Sequence, residues 1–278
     1  MWYNVFKKME RKCRIMENKT FKKEKIKSIE KALDLLELLS DNKKEMSITE
    51  IGKELHMGFS TVYRILTTLK CHGYVIQNQQ TSKYILGIKL FVLGCKVQSA
   101  VNLVKAVTPF LQKLSQSTTE TINFAILEGR EIICLTKIES PEELRTDIKI
   151  GARLPAHCTA LGKVLLAFLS EQEFMMLYNN DNEKLFTLTS NSISSVDELK
   201  KCLKKVRKQG YAVDKEEYKI GINCLGVPII SDEGEAIAGI SVTGPASRFN
   251  LSEMEKLKST LISLSKDISN QLNRVNNL

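Results

Sequence analysis

SITEIGKELHMGFSTVYRILTTLKCHGYVIQNQQTSKYILGIK, residues 47–89, reads as two short helices followed by two alternating strands. Ser47 with Glu50 three residues on forms a capping box, and the helix behind it turns Ile48, Ile51 and Leu55 inward. His56-Met57-Gly58 breaks that helix with a glycine turn, and a second runs from about Phe59 to His72, stopped by Gly73. Val62, Ile65, Leu66 and Leu69 make its buried stripe, while Ser60, Thr61, Tyr63, Arg64, Thr67 and Thr68 lie opposite, with no acid between Phe59 and Lys70. Tyr74-Val75-Ile76 and Tyr84-Ile85-Leu86 then alternate around the polar stretch Gln77 to Lys83, as in a hairpin. The pattern is a winged helix-turn-helix, and its polar face of short donors and one arginine suits a DNA groove.

The expected contacts follow from chemistry. Ser60, Thr61 and Arg64 would face base edges, with Arg64 suited to a bidentate pair on guanine. Ser47 and Thr49 at the first helix start, and Lys83 in the wing, would hold phosphates, with Gln79 beside Lys83 at the wing tip. Tyr63 and Thr68 complete the expected DNA-binding set.

At 278 residues, 43% hydrophobic and 26% charged, the chain is long enough for two packed domains and is neither disordered nor fibrous. The net charge of +9 is uneven: residues 1–25 hold nine Lys or Arg against three Glu, so the DNA argument rests on the helix pair rather than on overall charge. Met16 offers a second start, which would leave residues 1–15 untranslated. No run of about 18 apolar residues and no apolar leader occurs, so a cytoplasmic protein without membrane contact is expected. Seven scattered cysteines without a CxxC pair, and three histidines, point to no metal, no disulfide framework and no cofactor.

Outward from residues 47–89, the boundaries read as a basic tail at 1–25, a DNA-binding domain at 26–87, a linker helix at 88–108 and a second domain at 109–278. Ile29, Ala32, Leu33, Leu36 and Leu39 give a one-faced packing helix within Ile26 to Ser40. Leu90, Gly94, Val97, Val101 and Val104 make a seam along one helix from Ile88 to Val107, either packed on its own domain or pairing two subunits, and Pro109 is expected to open the next helix. In the second domain, strands are expected at Thr121 to Leu127, Glu131 to Lys137 and Leu144 to Ile150, then helices near Thr159 to Leu169, Glu171 to Tyr178 and Val196 to Gln209. Strands return at Tyr211 to Asp214, Asn223 to Ile230 and Glu235 to Thr243, before a closing helix from Ser252 to about Leu272. Strands, helices, then strands make an α+β unit with an antiparallel sheet.

Three runs in this second domain, Gly151 to Ala167, Gly210 to Asp214 with Glu216, Glu217, Gly221 and Cys224, and Ser241 to Phe249, resemble in order and spacing the effector domain of the IclR family of bacterial transcription regulators. The resemblance runs from about Ile26 to Leu272. It implies a GAF/profilin-like effector domain whose pocket for a small carboxylate or sugar acid is lined by Asp214, Cys224, Ser241 and Thr243. By chemistry, Thr159 is a good N-cap, leaving the N–H groups of Ala160 and Leu161 at a helix start where a carboxylate fits. Ser241 and Thr243 can donate to ligand oxygens, and Asp214 can accept from a ligand hydroxyl. Leu161 departs from the smaller residues of some family members and would narrow the pocket.

Taken alone, Cys224 reads as a small buried hydrophobe and His157 as a structural histidine; Glu216 and Glu217 would be solvated or paired with Lys215 and Lys219. Gly162-Lys163 fails as a phosphate loop, since His157 stands at the first glycine position and Val164 at the Ser/Thr position. The expected function is a DNA-binding regulator, a repressor of a catabolic operon, acting on double-stranded operator DNA as a homodimer or homotetramer and tuned by a bound acid. It is not expected to be an enzyme. Two rival readings are a constitutive DNA-binding dimer with a purely structural second domain, and a hydrolase with Cys224 as nucleophile, His157 as base and Asp214 as orienting acid.

Overall fold

The computed structural model describes residues 25–41, 44–94, 96–178 and 184–276; the expected basic tail, apart from Lys25, falls outside them. The chain divides into two compact units between Val101 and Asn102.

The first unit carries helices α1 (Lys27–Asp41), α2 (Ile48–Glu54) and α3 (Phe59–Cys71) and the hairpin β1 (Val75–Gln77) and β2 (Tyr84–Leu86). Ser47 caps α2 in a full capping box: its hydroxyl accepts from Glu50 N at 3.2 Å, and its own N–H donates to Glu50 Oε2 at 2.6 Å. One core joins Leu35 and Leu39 of α1, Ile51 of α2, Val62 and Leu66 of α3, and Val75 and Tyr84 of the hairpin. Burying each aliphatic side chain contributes about 1.5–3 kcal/mol, so Leu66→Ala would cost about 2–5 kcal/mol once the void is counted.

The turn between α2 and α3 differs from the glycine turn expected. Gly58 is the extended N-cap of α3, at φ −66°, and the left-handed residue is His56, at φ 51°. The glycine that packing requires is Gly52, where a Cβ would stand 2.8 Å from the Met57 carbonyl oxygen.

The expected single linker helix is two helices, α4 (Ile88–Gly94) and α5 (Gln98–Ser115). Gly94, a residue of poor helix propensity, is the last of the first, and a Cβ there would meet nothing within 4 Å among the described residues. Pro109 lies inside α5 rather than opening a new helix. A mid-helix proline removes a hydrogen bond, but Val107, Leu111 and Leu114 on that helix are all buried, and their packing outweighs the loss. The Thr108 hydroxyl also donates to the Val104 carbonyl at 2.7 Å.

The second unit is built on a six-stranded antiparallel sheet of order β5-β4-β3-β8-β7-β6. Its strands are β3 (Thr121–Glu128), β4 (Glu131–Ile138), β5 (Arg153–Pro155), β6 (Ala212–Lys215), β7 (Ile222–Ile230) and β8 (Ala236–Pro245). The helices are α6 (Ala160–Leu166), α7 (Glu171–Leu177), α8 (Val196–Gln209) and α9 (Leu251–Asn276). Leu161, Val164 and Leu165 of α6 join Ala125, Ile132 and Ala212 of the sheet and Leu199, Leu203 and Val206 of α8 in one core. α9 packs on β7 and hooks it with hydroxyls: Ser265 donates to Pro228 O, and Ser269 Oγ accepts from Ile230 N at 2.9 Å. The α+β architecture with its antiparallel sheet is as the sequence order implies.

One strand differs. Residues 144–150 are not a strand; β5, three residues at Arg153–Pro155, takes the edge beside β4 instead. Residues 145–149 instead run as an unpaired strap whose side chains line a cavity.

Candidate functional site

The residues expected to meet DNA lie on one module. Ser60, Tyr63, Arg64 and Thr68 are exposed on α3, whereas Thr61 is half-buried. Not all their hydrogen-bonding capacity is free: Thr68 donates its hydroxyl to Arg64 O at 2.9 Å, as Thr67 does to Tyr63 O at 2.8 Å, which leaves those hydroxyls as acceptors. Ser47 is committed to its cap, Thr49 is exposed beside it, and Lys83 in the wing reaches Glu50 Oε1 at 3.6 Å. The sequence reading missed Phe59, which is 63% exposed and stacks on Tyr63 with centroids 6.4 Å apart. It also missed Lys27 and Lys31 of α1, which share a groove of about 800 Å³ with Thr61, Arg64 and Thr68. Their signal was available as two lysines one turn apart on an amphipathic helix.

In the second unit, Ala160, Leu161, Asp214, Cys224, Ser241 and Thr243 line a single cavity of about 410 Å³. Strand register brings four of them together. Asp214 pairs with Cys224 and Cys224 with Thr243 in one cross-strand row; Gly226, Ser241 and Asn123 form another, two residues along. Residues two apart share a face of a strand, so these side chains rise from the same side of the sheet. The other two come from the start of α6, where Thr159 Oγ1 accepts from Gly162 N at 3.1 Å. Three glycines let α6 settle there. A Cβ on Gly226 would lie 3.0 Å from the Ala160 carbonyl carbon, one on Gly239 would lie 3.0 Å from Leu161 Cδ2, and one on Gly162 would lie 2.1 Å from Ala156 O.

Asp214 is the buried acid of the cavity, 1% exposed, and its Oδ1 accepts from Glu217 N at 2.7 Å. Burial raises its pKa to about 7; the Lys163 charge opposes the rise, and the Glu217 charge adds to it. Lys163, also buried, donates to Val213 O at 2.6 Å and to Glu217. Glu217 is therefore held by Lys163 rather than solvated or paired with Lys215 or Lys219. Glu216, at φ 56°, accepts from Gly221 N at 2.6 Å and tightens the same turn.

Cavity residues that the sequence reading did not name include Asn123, Thr146, Lys149, Tyr218 and Lys219. Only the fold places Asn123 beside Ser241, across more than a hundred residues, so no local signal marks it.

The thiol–imidazole–carboxylate arrangement is not assembled. His157 Nε2 lies 2.8 Å from the Phe186 carbonyl oxygen and is outside the cavity lining. Burial pushes the Cys224 thiol well above its ordinary value, with the Asp214 charge adding, so it is held as the thiol. Among the described residues no three of His, Cys, Asp and Glu gather as a metal site, and no helix is long and apolar enough to cross a membrane.

Comparison with known proteins matches both units to one family. Residues 28–79 match the IclR helix-turn-helix domain, and residues 95–270 match the domain described as bacterial transcriptional regulator IclR C-terminal. The chain is 36% identical over 236 residues to the HTH-type transcriptional regulator XynR of Escherichia coli K12, covering 85% of this chain and 93% of that one. It is 35% identical over 247 residues to KdgR of the same organism, covering 89% and 93%. The crystal structure of Thermotoga maritima IclR superposes with a TM-score of 0.72 at 30% identity, covering 89% of this chain and 99% of that one. A helix-turn-helix unit and a cavity-bearing sheet unit, each matched over most of its length, have one reading: the chain is a DNA-binding member of the IclR family of bacterial transcriptional regulators.

Proposed function

We propose that this regulator is a cytoplasmic repressor of a catabolic operon whose grip on operator DNA is set by a small carboxylate or sugar acid held in the cavity of the second unit. One observation carries the reading: six side chains from α6, β6, β7 and β8 line one pocket of about 410 Å³, in the unit that lacks the helix-turn-helix. That volume falls at the small end of ligand pockets, roughly 300–1,000 Å³. The acid group would meet the first N–H groups of α6, at Ala160 and Leu161, which have no partner within the helix. Ser241 and Thr243 would donate to ligand oxygens, and Asp214 would take a ligand hydroxyl.

On the DNA side, α3 would enter the major groove with Ser60, Thr61, Tyr63 and Arg64, while Ser47, Thr49, Thr68 and Lys83 would meet the backbone. A second copy would supply the other half-site. Ile88, Phe91, Val92 and Leu93 of α4 are all at least 40% exposed, an apolar surface suited to pairing two subunits.

The test is operator binding by the full chain with and without effector. Promoter fragments from its own locus should be bound at low salt and released by the acid. Asp214→Asn should abolish release while leaving DNA affinity intact; equal release from parent and variant would remove Asp214 from the ligand site. A ligand can shift DNA affinity only by binding one conformational state better than the other, so an acid that binds without changing operator affinity would leave the second unit a purely structural pairing domain.

A further inference from the structure

Two aromatic rings stand exposed on α3, outside the core of their unit. Phe59 is the first residue of the helix, behind Gly58 as N-cap, and is 63% exposed; Tyr63, one turn on, is 51% exposed. Neither belongs to the core that Val62 and Leu66 share with α1, α2 and the hairpin. The rings lie parallel to within 7°, with centroids 6.4 Å apart, so each steadies the other in one pose.

Their place on the helix decides what they can meet. In a helix-turn-helix the N-terminal residues of the second helix reach the base edges of the major groove, and Phe59 leads α3. Ser60 and Arg64 follow the two rings in sequence and are exposed with them, and no acid lies between Phe59 and Lys70, so the face suits the negative field of a duplex. Hydrogen bonding from that face is limited, because Thr67 and Thr68 commit their hydroxyl protons to the Tyr63 and Arg64 carbonyls. A phenyl ring has no hydrogen bond to offer, so phosphates and the polar base edges give it no partner. The major groove holds one apolar feature, the 5-methyl group of thymine. A ring laid against that methyl takes the apolar surface of both out of water, and no other base places a methyl there.

Resting on the reading that α3 enters the major groove, we propose that Phe59 is a specificity-determining residue that reads thymine by its 5-methyl group, with Tyr63 positioning its ring. This adds an apolar contact to the polar reading assigned to Ser60 and Arg64. Operator preference then depends on a group that takes no part in base pairing.

Deoxyuridine tests this, since it pairs as thymidine does and lacks only the methyl. Promoter fragments from the chain's own locus, amplified with dTTP or with dUTP in its place, are titrated with the full chain by fluorescence anisotropy. Salt is set where an unrelated fragment of equal length is no longer bound. The parent should bind the uracil fragment at least about fourfold more weakly, the value of one methyl group taken out of water. Phe59→Ala should weaken the thymine fragment by a similar factor, bind both fragments alike and keep the parent's melting temperature. Arg64→Ala should weaken both fragments and keep the parent's ratio. Tyr63→Phe, which retains the ring, should keep that ratio too, and Tyr63→Ala should lower it. Equal affinity of the parent for the two fragments would overturn the inference. So would a preference that survives in Phe59→Ala, which would assign the effect to another residue or to the shape of the uracil duplex. If Phe59→Ala and Arg64→Ala both bind like the parent, the placement of α3 in the groove falls, and this contact with it.

Discussion

Lys163 Nζ donates to a Glu217 carboxylate oxygen inside the second unit, where the two side chains are 3% and 12% exposed. The same ammonium holds Val213 O, so one side chain ties α6 to β6 and to the turn that supports Asp214. A buried ion pair adds little over an apolar replacement of both partners, but removing one partner leaves an uncompensated charge.

Lys163→Ala should therefore cost about 3–5 kcal/mol of unfolding free energy, measured by urea titration. The double variant Lys163→Met/Glu217→Leu should recover most of that loss, since both charges are gone. Additive losses in the double variant would show that the pair is not coupled.

Asp214 gives stability a pH dependence of known sign. Burial lifts its folded-state pKa from 3.8 to about 7. Between those values the native chain binds its proton more readily than the unfolded chain, so this group makes stability fall as pH rises from about 4 to 7, and the penalty is complete above 7. Asp214→Asn keeps an oxygen that can accept from Glu217 N but cannot ionise. Its melting temperature relative to the parent should climb across that window and then level off. A difference that stays constant with pH would show that Asp214 titrates normally.

The helix-turn-helix was legible because it is local. The capping box at Ser47 and Glu50, the apolar period of α3 and the alternation in the hairpin each lie within a few residues. α8 was legible to the residue for the same reason, from Ser195 at its N-cap to Gly210 in the left-handed conformation at its end. What failed to show was long-range. The strap at 145–149 alternates like a strand, yet β5 occupies the edge it would need. Pro109 reads as a helix start, yet burial of Val107, Leu111 and Leu114 carries α5 through it. Asn123 and the Lys163–Glu217 pair are products of sheet register and helix docking, which no window of sequence contains. Of the six cavity residues named from sequence, Ala160 and Leu161 came from the local capping signal at Thr159, and Asp214, Cys224, Ser241 and Thr243 from family resemblance rather than from periodicity.

Arg64 and Lys83 should separate base reading from phosphate attraction. Arg64 is exposed, so Arg64→Ala should leave melting unchanged while weakening operator binding by about 1–3 kcal/mol and relaxing preference at one base position. Among the described residues Lys83 forms one ion pair, with Glu50 at 3.6 Å. Lys83→Ala should weaken specific and nonspecific DNA alike and lower the slope of log affinity against log salt by about one. Gel-shift titrations at three salt concentrations read both effects. An unchanged slope would return Lys83 to a capping role beside Glu50.

Subunit pairing is testable on α4 alone. Ile88 and Phe91 are 69% and 68% exposed, and three positions apart on a helix they stand on neighbouring faces. Neither belongs to the cores of the two units, so charge placed there should not disturb folding. In the pairing proposed above, Ile88→Glu/Phe91→Glu would set like charges against each other where the patch meets its own copy. Sedimentation should move from an even-numbered oligomer toward monomer. Affinity for a full operator should fall far more than affinity for a half-site, because only the former depends on two modules held together. A variant that stays assembled and binds the full operator like the parent would place the pairing surface elsewhere in the chain.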